Sequence, residues 1–353
     1  MAYFLYHNLC YNITMKSLDN DIKSGNIKNI YLLIGVEGYL INQYRDKLIN
    51  ALVGADDKMN CKRYIGEDVL VSDIMDTADT MPFFAERRVV TVEDSRLFKK
   101  SDDGLADYIK RLPETTYLIF TECYTGDRSE EKKYEKQLVD KRYKLFKTVS
   151  EHGRIIRFPR LDEAMLNRWI AGRLAKDNLK ITMGALDCLY EYVGNDMTSI
   201  ANEVDKLACY KLGSTAVEIE DVKAICPRNL SNEIFDMVSA IATKNQQKAL
   251  ALYYNLIALK ESPMKILFMI AREFNLLLQV KAIKGNGGGG ADIAAAIGVH
   301  PGLVGKYVSV SSRFTYDYLK KAVEDCVETE SLFKRGKMND VMGVELLIVK
   351  YSS

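Results

Sequence analysis

Apolar residues in the first half of the chain come in short unbroken runs separated by helically spaced stretches. Ile30–Ile34 reads IYLLI and stops at Gly35; Leu40, Tyr44, Leu48 and Leu52 then recur every four residues within Tyr39–Val53. An unbroken apolar run fits a strand covered on both faces, and a period of four fits a helix with one apolar stripe. The alternation continues with Cys61–Ile65 as a strand, Val69–Thr80 as a helix, Arg87–Val92 as a strand and Asp102–Leu112 as a helix. Thr115–Thr121 follows as a strand, Glu131–Glu151 as one long helical stretch, and Arg154–Phe158 as a fifth strand. Strands alternating with helices predict βα units and a mostly parallel sheet.

After Pro159 the pattern predicts helices alone. Asp162–Asn178, Thr182–Val193 and Met197–Lys211 carry helical spacing, with Asp162, Thr182 and Thr198 as candidate N-caps. Pro227 breaks this block. A second one holds Asn232–Thr243, Asn245–Leu259, Pro263–Lys284, Gly290–Ile297, Pro301–Ser309, Thr315–Phe333 and Asn339–Lys350. The run GNGGGG at Gly285–Gly290 is a flexible joint between two of these helices. The expected fold class is therefore α/β plus all-α, in three blocks.

Composition narrows the class without choosing a function. The chain has 353 residues, 48% hydrophobic and 27% charged, as in an ordinary globular protein of two or three domains. Lys plus Arg total 49 and Asp plus Glu 48, so contact with nucleic acid or a membrane requires a local patch rather than a global field. No apolar run approaches the ~20 residues that span a bilayer. Met1–Thr14 lacks the basic leader and apolar core of a signal peptide. The seven cysteines stand singly and there are only three histidines, which argues against zinc and for reduced thiols in a cytoplasmic protein.

Catalytic chemistry is hard to find. A phosphate loop needs G-x-x-x-x-G-K-[ST], whose amides wrap the phosphates, whose Lys neutralises them and whose Ser/Thr holds magnesium. Here the strand-to-helix turn reads Gly35-Val36-Glu37-Gly38-Tyr39-Leu40-Ile41, without the Lys or the Ser/Thr and with an added acid. Glu93-Asp94 imitates a magnesium-holding acidic pair and Thr121 a phosphate sensor, but such residues at strand ends usually serve turns and caps. His152 and His300 have no evident partner. No catalytic, cofactor or metal residue is assigned.

Two surfaces remain. Met81-Pro82-Phe83-Phe84 places two aromatics side by side after a helix-breaking proline. They fit either core packing under the sheet or an apolar plug offered to a partner. Ser129–Lys147 has seven basic and four acidic residues, the usual composition of a solvated helix face. Lys334, Arg335 and Lys337 cluster at a helix end, where they complement the helix dipole or touch a nucleic-acid backbone.

The whole resembles the delta-subunit family of bacterial DNA polymerase III clamp loaders, from Met15 to the C-terminus. The resemblance runs through Ile30–Ile41 (IYLLIGVEGYLI), Pro82–Val90 (PFFAERRVV), Asp140–Lys147 (DKRYKLFK) and Asn202–Leu207 (NEVDKL). It continues through Phe235–Ile241, Ala271–Phe274 and Ile297–Pro301. It implies an AAA+ type parallel-sheet domain with a degenerate P-loop over 15–159, a small helical lid over 160–228 and a helical collar over 229–353. Residues 1–14 precede the family's usual start, which fits Met15, and read as an extension or a mis-assigned start. The resemblance further implies a non-enzyme by its own chemistry, within a DNA-directed DNA polymerase holoenzyme, binding no cofactor. Thr198 stands where ATP-hydrolysing relatives carry a sensing arginine. Phe83 and Phe84, shaped by Met81 and Pro82, would be the plug that opens the ring-shaped sliding clamp (beta). The other implied partners are the gamma/tau ATPase subunits, delta-prime and primed DNA, with no membrane. The alternatives are an active AAA+ ATPase, opposed by Glu37, Tyr39 and Thr198, and the delta-prime paralogue, whose cysteine cluster is missing.

Overall fold

The computed structural model describes residues 17–54, 57–100, 103–126, 133–194, 196–227, 230–299 and 301–353. The extension Met1–Thr14, Met15, the first residues of Ser129–Lys147 and His300 lie outside the described residues. The chain divides into two compact units, Met1–Asp162 and Glu163–Ser353.

The first unit is a parallel sheet with helices. Helix α1 spans 17–24, and β1 (Ile30–Gly35), α2 (Gly38–Leu52), β2 (Cys61–Ile65), α3 (Val71–Asp79) and β3 (Arg88–Glu93) follow. Then come α4 (Asp103–Ile109), β4 (Thr116–Cys123), α5 (Tyr134–Leu138), α6 (Lys144–His152) and β5 (Arg154–Phe158). The strand order is β2-β3-β4-β1-β5, all parallel. Every residue of β1 and β3 is buried, which is why β1 reads as a continuous apolar run and β3 carries Val89, Val90 and Val92 without strict alternation. In register, Leu32 faces Phe120 and Ile155, and Val90 faces Leu118. Helix α2 buries the stripe Leu40, Tyr44, Leu48 and Leu52. Leu32, Ile34, Val90, Val92, Leu118 and Phe120 meet Phe98, Leu105 and Val149 in one core. A parallel-sheet α/β unit is what both the strand–helix alternation and the resemblance lead one to expect here.

One predicted element is corrected here. In the described part of the long stretch Glu131–Glu151 there are two helices, α5 and α6, separated by Val139–Tyr143. Val139 is buried and extended. Asp140 turns the chain: its amide donates to the Phe98 carbonyl at 2.9 Å and its Oδ1 accepts from the Arg142 amide at 3.0 Å. An aspartate capping an amide two residues on competes with the helix ladder.

The second unit is helical, with α7 (Glu163–Leu174), α8 (Met183–Val193), α9 (Met197–Tyr210) and α10 (Ile219–Ile225) followed by α11 (Leu230–Ala242) and α12 (Gln246–Ala258). It ends with α13 (Pro263–Gly285), α14 (Gly290–Ile297), α15 (Val304–Ser312), α16 (Tyr316–Lys334) and α17 (Asp340–Ser352). A parallel pair of two-residue strands, β6 (Lys180–Ile181) and β7 (Ala216–Val217), corrects the expectation of helices alone. Thr182 caps α8 by accepting from the Ala185 amide. Thr198 caps nothing: Asp196 is the N-cap of α9, accepting from the Ser199 amide at 2.8 Å, and Thr198 lies inside the first turn. The predicted helix Pro301–Ser309 is a 3-10 turn, Pro301–Leu303, leading into α15. Within this unit α13 packs against α11, α15, α16 and α17. Ile270, Phe274, Leu277, Leu319, Val344 and Ile348 form its core. Asn232 donates to the carbonyls of Glu191 and Tyr192, and Lys306 pairs with Glu191 at 2.7 Å, joining the two helical blocks.

Candidate protein-binding site and the closed phosphate loop

The turn from β1 to α2 has two residues outside the regular elements, Val36 and Glu37. Both of their amides donate to the Phe158 carbonyl at the end of β5, at 2.9 and 3.3 Å, and the Gly38 amide donates to Val36 at 3.2 Å. The donors a phosphate would need are already taken. Gly35 must be glycine, because a Cβ there would stand 2.1 Å from the Phe158 oxygen. Glu37 is buried and lies 3.7 Å from the Arg160 guanidinium.

The acidic pair is likewise engaged by the protein. Glu93 is buried between Arg45 (2.7 Å) and both nitrogens of the Arg63 fork (2.6 Å each). A carboxylate held by two guanidiniums is saturated with donors. Asp94, at φ +49°, accepts from the Cys123 amide at 2.7 Å. Thr121 is buried in β4 opposite Leu33 and Glu93. Beside it Glu122 is fully buried, accepting from Ser95 Oγ (3.2 Å) and the Arg96 amide (2.9 Å). Burial pushes its carboxyl up to about 7, against the opposing pull of Arg96. The one sequence signal of this buried acid is a carboxylate inside the apolar strand LIFTEC. Among the described residues no group of His, Cys, Asp and Glu side chains is arranged to hold a metal ion.

The other end of the sheet is different. Between α3 and β3 the chain runs from Thr80 to Arg87 without regular structure. Met81 is 82% exposed, Phe83 54% and Phe84 96%, while Pro82 is half-buried. The two rings meet edge to face, with centroids 4.6 Å apart. The core-packing alternative for this pair is thereby set aside. The backbone beneath them is anchored. Asn60, 2% exposed, accepts from the Phe83 amide (2.6 Å) and donates to the Phe83 carbonyl (3.0 Å). Arg88 Nη2 donates to the Met81 carbonyl at 3.2 Å. Phe84 sits at φ +48°, in the left-handed region that costs a non-glycine residue roughly 1 kcal/mol. The result is an apolar surface loop on a hydrogen-bonded backbone; large exposed aromatics of this kind are candidates for partner binding.

The basic candidates are scattered by comparison. Lys334 pairs with Glu330 at 2.6 Å, at the end of α16. Arg335 and Lys337 are exposed beyond it. In the described part of Ser129–Lys147, Lys141 meets Glu135, Arg142 meets Asp140 and Lys144 meets Asp107, as on a solvated, salt-bridged surface. Among the described residues no helix is long and apolar enough to cross a membrane.

Known protein families match most of the chain. The family model of the DNA polymerase III delta subunit matches residues 31–158, and that of the delta subunit's C-terminal domain matches residues 231–351. The DNA polymerase III subunit delta of Bacillus subtilis (strain 168) is 26% identical over 341 residues, covering 93% of this chain and 94% of that protein. The solved Bacillus subtilis DNA clamp loader delta protein superposes with a TM-score of 0.68 at 23% identity, over 95% of this chain and 98% of the other. The two family models together take in more than half of the sequence and flank the short helical block between them, and by sequence and fold the chain belongs to the DNA polymerase III delta-subunit family.

Proposed function

We propose that this chain is the clamp-opening subunit of a bacterial clamp loader. Phe83 and Phe84 enter an apolar pocket on the ring-shaped sliding clamp, with Met81 and Pro82 shaping the approach, and so weaken one clamp interface. The opened ring is then passed over primed DNA. ATP is bound and hydrolysed by the gamma/tau partners, which with delta-prime meet this chain through its last helices, Asn232–Ser353. Arg335 and Lys337 are the proposed contacts to the DNA backbone, with Lys334 already engaged by Glu330. The protein works in the cytoplasm.

The observation that carries this reading is the adjacent exposed pair Phe83–Phe84 on an anchored backbone. The closed phosphate loop supports the non-hydrolysing role, since the Val36 and Glu37 amides are spent on Phe158.

The test is binding of the full chain to the sliding clamp of the same organism, wild type beside Phe83→Ala/Phe84→Ala. Losing two central aromatic anchors costs about 2 kcal/mol each, roughly thirtyfold in affinity apiece. Tight binding by both proteins would remove the plug from the mechanism. Thermal stability with Mg-ATP checks the second half. A ligand at about 100 times its dissociation constant stabilises by ~2.7 kcal/mol, and no such shift is expected.

A further inference from the structure

We infer that Asn60 is the positioning residue of the clamp-binding loop: it holds the backbone of Phe83 so that both aromatic rings are presented before the partner arrives. The inference rests on the clamp-binding reading of Phe83 and Phe84.

Asn60 precedes β2, at the edge of the sheet, and all of its polar groups are used. Its amide donates to Asp57 Oδ1 (2.9 Å) and its carbonyl accepts from Val89 (2.8 Å), which fixes its backbone to β3. Its side chain then acts toward Phe83 as a neighbouring strand would, accepting from the Phe83 amide and donating to the Phe83 carbonyl. The second Nδ2 proton goes to Asp57 Oδ2 at 2.7 Å, which orients the amide with its oxygen toward the Phe83 N–H. One short side chain with one acceptor and one donor head meets these demands; aspartate would turn the donor into a second acceptor, and leucine would supply neither. Among the described residues, these two bonds and the Arg88 bond to Met81 are the only hydrogen bonds to the backbone of Met81–Glu86. Phe84 follows directly in its left-handed conformation, which brings its ring against that of Phe83. Without Asn60 the turn keeps only the Arg88 bond to Met81 and loses both bonds at Phe83, and the clamp must then order that part of the loop. Ordering one or two residues on binding weakens affinity by about tenfold.

The experiment measures clamp affinity for the full chain as wild type, Asn60→Ala, Asn60→Leu, Phe83→Ala/Phe84→Ala, and the triple variant. Asn60→Leu keeps the bulk of the side chain should Asn60→Ala fold poorly. A second readout needs no clamp: hydrogen exchange at the Phe83 amide against that of Val89 and Thr91 in β3. The expected result is about tenfold weaker binding on loss of Asn60, with the Phe83 amide exposed and β3 still protected. In the Phe83→Ala/Phe84→Ala background, removing Asn60 should then change nothing further, which a general structural role would not produce. Wild-type affinity in a folded Asn60 variant, or a Phe83 amide that stays protected in it, overturns the inference and leaves the clamp reading intact. Failure of the wild-type chain to bind the clamp overturns both.

Discussion

The β1–α2 turn and the α3–β3 loop leave the same parallel sheet at opposite ends, and both have their backbones tied down. In the first, Val36 and Glu37 give their amides to Phe158, and the acids nearby are buried against arginines or in the core. In the second, Asn60 and Arg88 take up the backbone groups of Phe83 and Met81, and the apolar side chains are left to solvent. Where a nucleotide site would need free amides and reachable acids, they are consumed. Where a core would hide aromatics, they are displayed. At one end of the sheet the backbone amides and acids are tied up within the protein; at the other an anchored loop displays apolar side chains, the surface we propose for the clamp.

The largest effect expected from breaking this contrast is at the closed end. Gly35→Ala drives a Cβ into the Phe158 carbonyl, a backbone atom that cannot step aside. Overpacking against backbone costs about 3 kcal/mol. Urea midpoints of the full chain should fall accordingly, and an unchanged midpoint would mean that the β1 and β5 ends are not locked together. No substitution in the apolar loop should approach this, because its side chains have little to lose on unfolding.

Proton linkage distinguishes the two ends by sign. Burial raises the Glu122 carboxyl from the ordinary 4.5 to about 7. The folded state therefore holds a proton that the unfolded state has released. Stability falls as pH rises from about 4.5 to about 7, and is level above that. Glu122→Gln removes the dependence, so the stability difference between variant and wild type should grow by up to about 3 kcal/mol from pH 5 to pH 8. A difference constant with pH would place the charged carboxylate at home in the core. At the other end Asp57 is held below its usual range, first by the Asn60 side chain and then by the Asn60 amide. Its contribution is present above the unfolded value and is lost only as pH falls through the lower folded one. Protection of the Phe83 amide, corrected for intrinsic exchange, should accordingly stay level from pH 8 to pH 5.

Much of the sheet was legible because burial writes a simple pattern. Ile30–Ile34 is apolar at every position because β1 is covered on both faces, and Leu40, Tyr44, Leu48 and Leu52 mark the one buried stripe of α2. Breaks that depend on a single side chain were not. Asp140 ends a stretch of good helical spacing, and β6 and β7 are two residues each, too short to carry a period. The candidate site divides in the same way. The pair Phe83–Phe84 stood out by composition, yet adjacency alone leaves burial open, and the exposure follows from what the neighbouring strands leave uncovered. Asn60 left no trace, since its bond to Phe83 spans 23 positions and joins side chain to backbone, a contact no local motif records. Glu122 is similar, its partners Ser95 and Arg96 lying in another loop.

The smallest effect is the one that separates presentation from stability most cleanly. Phe84 pays a left-handed backbone penalty while its ring is almost wholly in water. Glycine adopts the same φ without strain, and the ring contributes little burial to lose. Phe84→Gly should therefore raise the stability of the free protein by a few tenths of a kcal/mol to about 1, the relief of strain offset in part by a more flexible unfolded chain and by the lost contact with Phe83. The same substitution should weaken clamp binding by roughly thirtyfold. Opposite signs in the two measurements would mean that Phe84 is kept, at a cost to folding, for what it touches outside the molecule. A loss in stability with no loss in binding would return the ring to a structural role and leave Phe83 to act alone.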